Sequence, residues 1–317
     1  MTQPTNLYDS YDMKGIREDL SDMIYNITPD DTPFYTACKK VKATNRTHEW
    51  QTDTLRASTA SNFHPEGANT DGDAAAPTLR LNNVSQIFKN AVTVSDSEPN
   101  MDKAGRKQEM AYQVLKIARE QKLDIEKTFF LNRAKDLGAS GTARKMGGIG
   151  SYLKSNLVMG TGGVAPTGDG TDVRNDGTSP TAFDQDKFND LMQSVWTNGG
   201  DPDRVYLSPF QMNKALAFEG NNNQRSAVQA GDQKVIKSLA VYVTPWGTVE
   251  FVPSREVVAS DVYVIQNDMF CAALLRPTKN VELAKTGDSR TRQVVTELTL
   301  VTKNEASSGC VTANTVV

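Results

Sequence analysis

The sequence predicts an α+β protein: a long polar β-hairpin near its start, one long helix after it, and a compact α/β region in its second half. Three observations carry this. Residues 41 to 95 alternate like strands on either side of a polar stretch. Residues 102 to 135 contain no proline and repeat apolar side chains at helical spacing. Residues 184 to 303 hold short helices and strands in succession, with turn residues between them.

The hairpin comes first. Its first arm, Val41 to Arg56, is rich in threonine and carries a single tryptophan, Trp50. The second, Thr78 to Ser95, alternates at Leu79/Leu81 and again at Val92/Val94. The tip, 57 to 77, has one large apolar residue, Phe63. At about 3.4 Å per residue each arm reaches roughly 50 Å, about the diameter of a compact globule of this length. An isolated two-stranded ribbon is marginal in water. Such a hairpin either threads the core or projects onto a neighbouring subunit, and polar arms favour projection. Trp50, Leu79, Leu81, Ile87 and Phe88 are then the candidate inter-subunit contacts, beside backbone edges that only a neighbour would pair.

The helix is expected over 102–135, capped by Asp102 or Asn100, with Ala111, Val114, Leu115, Ala118, Ile125 and Phe129 on one stripe. Lys116/Glu120 and Lys122/Glu126 form i,i+4 pairs. Thirty-odd residues make a rod of about 45–50 Å, and Gly138 and Gly141 end it. Between Lys103 and Lys135 nine Lys/Arg face four Asp/Glu, a net of +5. This is either a solvated face or a sequence-independent contact with nucleic-acid phosphates, through Arg106, Lys107, Lys116, Arg119 and Lys122.

Upstream, residues 1–40 hold seven acidic and four basic residues and no sustained apolar period. They read as an extended arm with one short helix, Asp19 to Ile27, stopped by Pro29 and Thr32-Pro33. Downstream, the glycine-rich stretch 138–182 reads as flexible connection. A helix over 184–197 follows, capped by Asp184 with Phe188, Leu191, Met192 and Val195 inward. Then come a strand at Arg204–Leu207, a helix at Pro209–Phe218, and a polar loop over 219–233. Strands at 239–244 and 248–252 flank Pro245-Trp246-Gly247. Buried strands at 261–266 and 269–275 and a long alternating strand, Gln293 to Lys303, complete the pattern.

Composition excludes several classes. The chain has 317 residues, 38% hydrophobic and 23% charged, a mean hydropathy of −0.49 and a net charge of −3. That describes a folded, polar protein with no whole-molecule signal for nucleic acid or membrane. The longest apolar run, Met269 to Leu275, is far short of a bilayer span. The first fifteen residues lack a signal peptide's basic start and apolar stretch. Three scattered cysteines, Cys38, Cys271 and Cys310, suit free thiols and folding in a reducing cytoplasm.

The search for chemistry returns little. His48 and His64 have no Cys or carboxylate at metal-ligand spacing. Residues 69–73 and 168–177 resemble calcium loops but lack the closing Glu. The glycine-rich stretches lack a phosphate-loop lysine, no serine sits in a Gly-x-Ser-x-Gly elbow, and each cysteine reads as a small core residue. No catalytic, metal or cofactor residue is assigned, and no cofactor is expected.

Three segments in order resemble the major capsid proteins of tailed bacteriophages with the Hong Kong 97-type fold, in a podophage-like branch. Glu18 to Tyr35 (EDLSDMIYNITPDDTPFY) looks like the family's opening arm. His48 to Leu55 (HEWQTDTL) resembles the start of its extended loop, and Leu283 to Gly309 (LAKTGDSRTRQVVTELTLVTKNEASSG) its closing strand segment. The resemblance spans about 15–312, and the loops at 160–180 and 219–233 match nothing in it. It implies an N-terminal arm over 1–40 and an extended loop over 41–98. A peripheral domain over 99–150 and 276–317 would be built on the spine helix 102–135, with an axial domain over 151–275. It further implies a structural protein, not an enzyme, that assembles with itself into hexamers and pentamers of an icosahedral or elongated head shell around double-stranded DNA. No long helix precedes the arm, so a separate scaffolding protein is expected, with a portal and a possible decoration protein. Assembly would take place in the host cytoplasm and the product would be a virion. Two other readings stay open: an encapsulin-like cellular nanocompartment shell, and, weakest, an enzyme with a site of scattered carboxylates.

Overall fold

Two sheets and one helix meet at a shared aromatic junction in the structure, a computed structural model that describes residues 31–67, 69, 72, 77–101, 108–218 and 241–316. The short helix expected over 19–27, the 219–233 loop, and Arg106 and Lys107 lie outside the described residues.

The first sheet has the order β1-β10-β11-β4, from β1 (Lys39–Lys42), β4 (Gln86–Ser95), β10 (Phe270–Glu282) and β11 (Ser289–Thr302). β1 runs parallel to β10, while β10–β11 and β11–β4 are antiparallel. Helix α2 (Glu109–Phe130) packs on one face, where Ile125 and Phe129 meet Phe88, Leu298 and Leu300. Its buried Gln121 donates to the Val294 carbonyl and accepts from Thr296 Oγ1, so a polar side chain in the packed face is satisfied.

The helix is shorter than expected, 22 residues, about 33 Å at 1.5 Å per residue. It stops at Phe130 because the next residues are taken by tertiary partners. Asn132 brackets the backbone of Arg174, and the Arg133 guanidinium donates to the Met146 carbonyl. The expected stripe also turns: Leu115 is 64% exposed, and Ile117 is buried instead. Gln108 precedes the first turn without a side-chain cap, so Asn100 does not cap it, and Asp102 lies outside the described residues.

The second sheet has the order β5-β12-β9-β6-β8-β7. It comprises β5 (Leu157–Val158), β6 (Arg204–Leu207), β7 (Val241–Thr244), β8 (Gly247–Pro253), β9 (Val262–Ile265) and β12 (Gly309–Val311). Helix α4 (Gln185–Thr197) presents Phe188, Leu191, Met192 and Val195 to its core, and Asp184 Oδ1 accepts from the Lys187 N–H at 3.0 Å as its N-cap. Helix α5 (Pro209–Ala215) begins at its proline as expected and ends three residues earlier than expected. β12 sits in this sheet, with Thr181 bridged to Asn314. The chain's last described segment therefore leaves the four-stranded sheet and completes the six-stranded one, although 276–317 was expected to be peripheral throughout.

Phe34 joins the two halves. It lies in α1 (Pro33–Ala37), fully buried, with its ring centroid 5.1–5.8 Å from those of Phe129, Phe130, Tyr206 and Phe270. α1 has no side-chain cap of its own; Glu126 of α2 supplies one, accepting the Phe34 N–H at 2.9 Å and the Tyr35 N–H at 2.6 Å. Residues 32–38, expected as part of a free arm, are core.

The long hairpin is also recast. Only β2 (Thr47–Thr52) and β3 (Leu79–Val84) pair with each other, over six residues. β4 pairs instead with β11 over ten register positions, and β1 with β10. Alternation made β4 a strand but did not name its partner, and burial chose β11. Val84, Ser85 and Phe88 are all inside, which a projecting arm could not achieve.

Candidate assembly surfaces

The hairpin leaves the body through a buried polar root. Asn83, fully buried, donates to the carbonyls of Gly147 (3.1 Å) and Leu300 (2.8 Å) and accepts the Gly147 N–H at 2.9 Å. Two residues on, Ser85 donates to Glu297 Oε1 at 2.9 Å. Glu297, 5% exposed, also takes Arg144 at 2.7 Å and Arg276 at 2.8 Å, so its charge is paired twice inside the sheet. Gln86 accepts from Arg133 at 2.6 Å. Sequence reasoning missed this root. Its one legible signal is Glu297 itself, a lone carboxylate in the run QVVTELTLVT.

Beyond the root, the five candidate contact residues separate. Trp50 is half-buried over a small-residue floor of Ala43, Cys271, Ala273 and Val301, 6.0 Å from the Tyr152 ring. Leu81 and Phe88 are buried at 8% and 7%, Phe88 in the main core. These three have their cover within the chain, contrary to the expectation that a neighbour supplies it. Leu79 and Ile87 remain exposed, at 62% and 46%. Past β2, Leu55 is 98% exposed and Phe63 78%, so the excursion over 53–78 carries bare apolar groups that its own chain does not cover.

The face of the four-stranded sheet opposite α2 follows from register. Phe88, Val294 and Leu298 face the helix side, so Ile87, Lys89 and Ala91 point away. Lys89 lies opposite Val295, which lies opposite Lys279, and Ala91, Gln293 and Val281 form the next row. Ile87 and Val281 (41% exposed) leave this mixed face partly apolar.

The basic helix face is thinner than its +5 implied. Lys116, Arg119 and Lys122 are exposed on α2, with Lys116 3.8 Å from Glu120. Arg133 and Lys135 are turned inward onto backbone carbonyls.

The titratable groups most perturbed by the fold serve structure. Burial pushes Glu126 up to about 7, opposed by the Tyr35 and Phe34 amides, and Glu256 adds to the rise. Such a carboxylate can mark an active site, but here both oxygens are occupied by the α1 backbone. Burial pushes the Cys38 and Cys310 thiols up and holds His48 below its ordinary value. Among the described residues, no three His, Cys, Asp or Glu side chains are grouped to hold a metal, and no helix is long and apolar enough to cross a membrane. The glycine-rich stretch is no loose connection. Arg174 is fully buried within it, held by Asp176 and by Asp261 at 2.6 Å, and Tyr263 donates to the same Asp261 at 3.0 Å.

Known proteins share this architecture. The capsid protein of cyanophage A-1(L) superposes with a TM-score of 0.69 at 10% identity, covering 98% of this chain and 99% of that one. The capsid of a native GTA particle gives 0.64 at 10% identity over 96% and 98%. The SrpI encapsulin of Synechococcus elongatus PCC 7942 gives 0.56 at 10% over 95% and 93%, so the fold alone does not separate a virus from a cellular compartment. Sequence does. The major capsid protein of Escherichia phage Phieco32 is 26% identical, over 98% of this chain and 97% of its own length. The profile of the SU10 major capsid protein family matches residues 3–315. With a Hong Kong 97-type fold and a family match running almost end to end, this chain belongs to the SU10 major capsid protein family and is a capsid shell protein.

Proposed function

We propose that many copies of this chain close into a phage head around double-stranded DNA, and that the 53–78 excursion of each subunit lies on the outer sheet face of the next. The observation that carries this is the bareness of Leu55 and Phe63 on a segment whose root is rigidly held. A contact between two different patches is heterologous, so repeated around an axis it closes rings. The receiving face offers Ile87 and Val281 for apolar contact and Lys89 and Lys279 for the tip's carboxylates. Hexamers and pentamers, a separate scaffolding protein, a portal and a decoration protein are the partners such a head calls for. Assembly would take place in the host cytoplasm. Packaged DNA would meet Lys116, Arg119 and Lys122 without sequence preference.

Thr52 and Leu79 face each other in register, so an Asn-Gly turn can replace residues 53–78 without disturbing β2 or β3. The expected product melts at the same temperature as the parent but forms no closed shells in negative-stain micrographs. Normal shells from it would overturn the reading. The content of the particles checks the viral reading directly: those purified from the native host should hold genome-length DNA, and an enzyme cargo in its place would overturn it.

A further inference from the structure

The glycine-rich loop over 160–178 is closed by its own turns and hydrogen-bonded to the body. Its turn at Gly170 (φ +81°) touches two body residues that grip the hairpin. The Lys135 N–H donates to the Gly170 carbonyl at 2.7 Å, and Lys135 Nζ donates to the Asp169 carbonyl at 2.6 Å. A Cβ at Gly170 would stand 2.5 Å from Tyr152 Cζ and Oη, so the loop's backbone forms a wall against which that ring rests. From this support both side chains reach one atom of the hairpin. Tyr152 Oη donates to the Asn82 carbonyl at 2.8 Å and Lys135 Nζ to the same oxygen at 3.2 Å. The Tyr152 ring also lies 6.0 Å from Trp50, so one residue touches both strands of the ribbon.

We propose that Lys135 and Tyr152 are positioning residues for the hairpin, fixing the direction in which it leaves the body, and that the glycine-rich loop exists to hold them in place. One carbonyl taking two donors from separate body segments, α3 (Ile149–Tyr152) and the irregular segment after α2, defines an angle that a single bond would leave free. Asn83 and Ser85 fix where the hairpin is attached; Asn82, one residue further out, fixes its heading. The consequence for assembly rests on the shell reading above, but the heading itself belongs to one chain and is measurable there.

The test uses the full-length protein with spin labels at Gln51→Cys on β2 and Gln193→Cys on α4, both exposed positions, diluted into unlabelled protein. The three native cysteines are buried. The label-to-label distance distribution of the parent is expected to be single and narrow. Lys135→Met with Tyr152→Phe should widen it by at least about twofold, as local restraint is lost without global unfolding. Tyr152→Phe alone should give an intermediate width, and Lys135→Arg, which keeps a donor, should restore the narrow distribution. A double variant with the parent's distribution overturns the proposal, as does a parent whose distribution is already broad. If the double variant does not fold, Tyr152→Phe alone decides the matter, since it removes only one hydroxyl. Shell counts on the same samples separate the two ideas. Widened headings in a protein that never forms shells sink the shell reading alone; intact shells with an unmoved distribution sink the positioning role alone.

Discussion

The two ends of the hairpin are built on opposite rules. At the root, Asn83, Ser85 and Gln86 find hydrogen-bond partners in β11, the 144–147 segment and the stretch after α2. At the far end, over 53–67, the described side chains bond only to near neighbours, and Leu55 and Phe63 stand almost bare. A free monomer gains nothing from a rigid base under an unfinished end. A subunit that must hand a defined surface to a neighbour needs both.

Three perturbations sharpen that contrast, beginning with the root. Glu297→Ala would leave Arg144 and Arg276 without their shared partner inside the sheet and Ser85 without an acceptor. The expected loss is about 3 kcal/mol of unfolding free energy, chiefly from the buried Ser85 hydroxyl and the mostly buried Arg144 left without an acceptor while the half-exposed Arg276 turns to water, read as a lower denaturation midpoint of the unassembled protein. A change below about 0.5 kcal/mol would mean that the root is not the rigid end.

The anchor of α1 gives a pH signature of similar or smaller size. The Glu126 carboxyl lies at about 7 in the folded chain against 4.5 for an unburied one. The fold thus binds the proton more tightly, and this group's stabilisation is whole below about pH 4.5, declines through the interval and is gone above about 7. Linkage puts the full swing on the order of 3 kcal/mol. Thermal melts from pH 5 to 8 should fall with rising pH, and Glu126→Gln should flatten the slope. A Glu126→Gln curve parallel to the parent's would assign the slope to other groups.

At the tip the expected effect on stability vanishes. Leu55→Ser with Phe63→Ser should leave the melting temperature of the monomer within about 0.5 kcal/mol equivalent of the parent, while shell yield in a sedimentation assay collapses. A large loss of monomer stability would show that these side chains are covered by their own chain after all.

Local signals were readable in the sequence, and partner choices were not. Asp184 as a cap and the inward face of α4 depend on near neighbours, and the structure places both as the residue pattern implied; β11 is a strand as expected, but it is buried on both faces from Thr296 to Thr302 where its sequence alternates. The pairing of β4 depends on which strand buries Phe88, a question that alternation does not pose. Phe34 and Glu126 are 92 residues apart, and neither is unusual in its own surroundings. The glycine-rich stretch reads as flexible connection because glycines are common in both mobile loops and tight turns. The Asp and Thr residues between them, which close turns on their own backbone at Asp169 and Asp172, were the overlooked sign of order. Of the candidate contact residues, Ile87 follows the exposed side of β4, whereas Leu79 shares a face of β3 with the buried Leu81 and is bare because it lies at the strand's outer end. The cover of Trp50, Leu81 and Phe88 was not legible, because a large apolar residue looks the same whether its own chain or another covers it.

The root of the hairpin also sets a schedule. Asn83 reaches Leu300 across 217 residues and Ser85 reaches Glu297 across 212, while Phe34 meets Phe270. During synthesis from the N-terminus, the first-made quarter of the chain waits for nearly the last-made strand before either its anchor or its hairpin can settle. A chain cut short before β11 therefore cannot form the buried root of its hairpin. Completeness is checked by topology, and a ribosome that stops early leaves a fragment whose hairpin has nothing to hold its base.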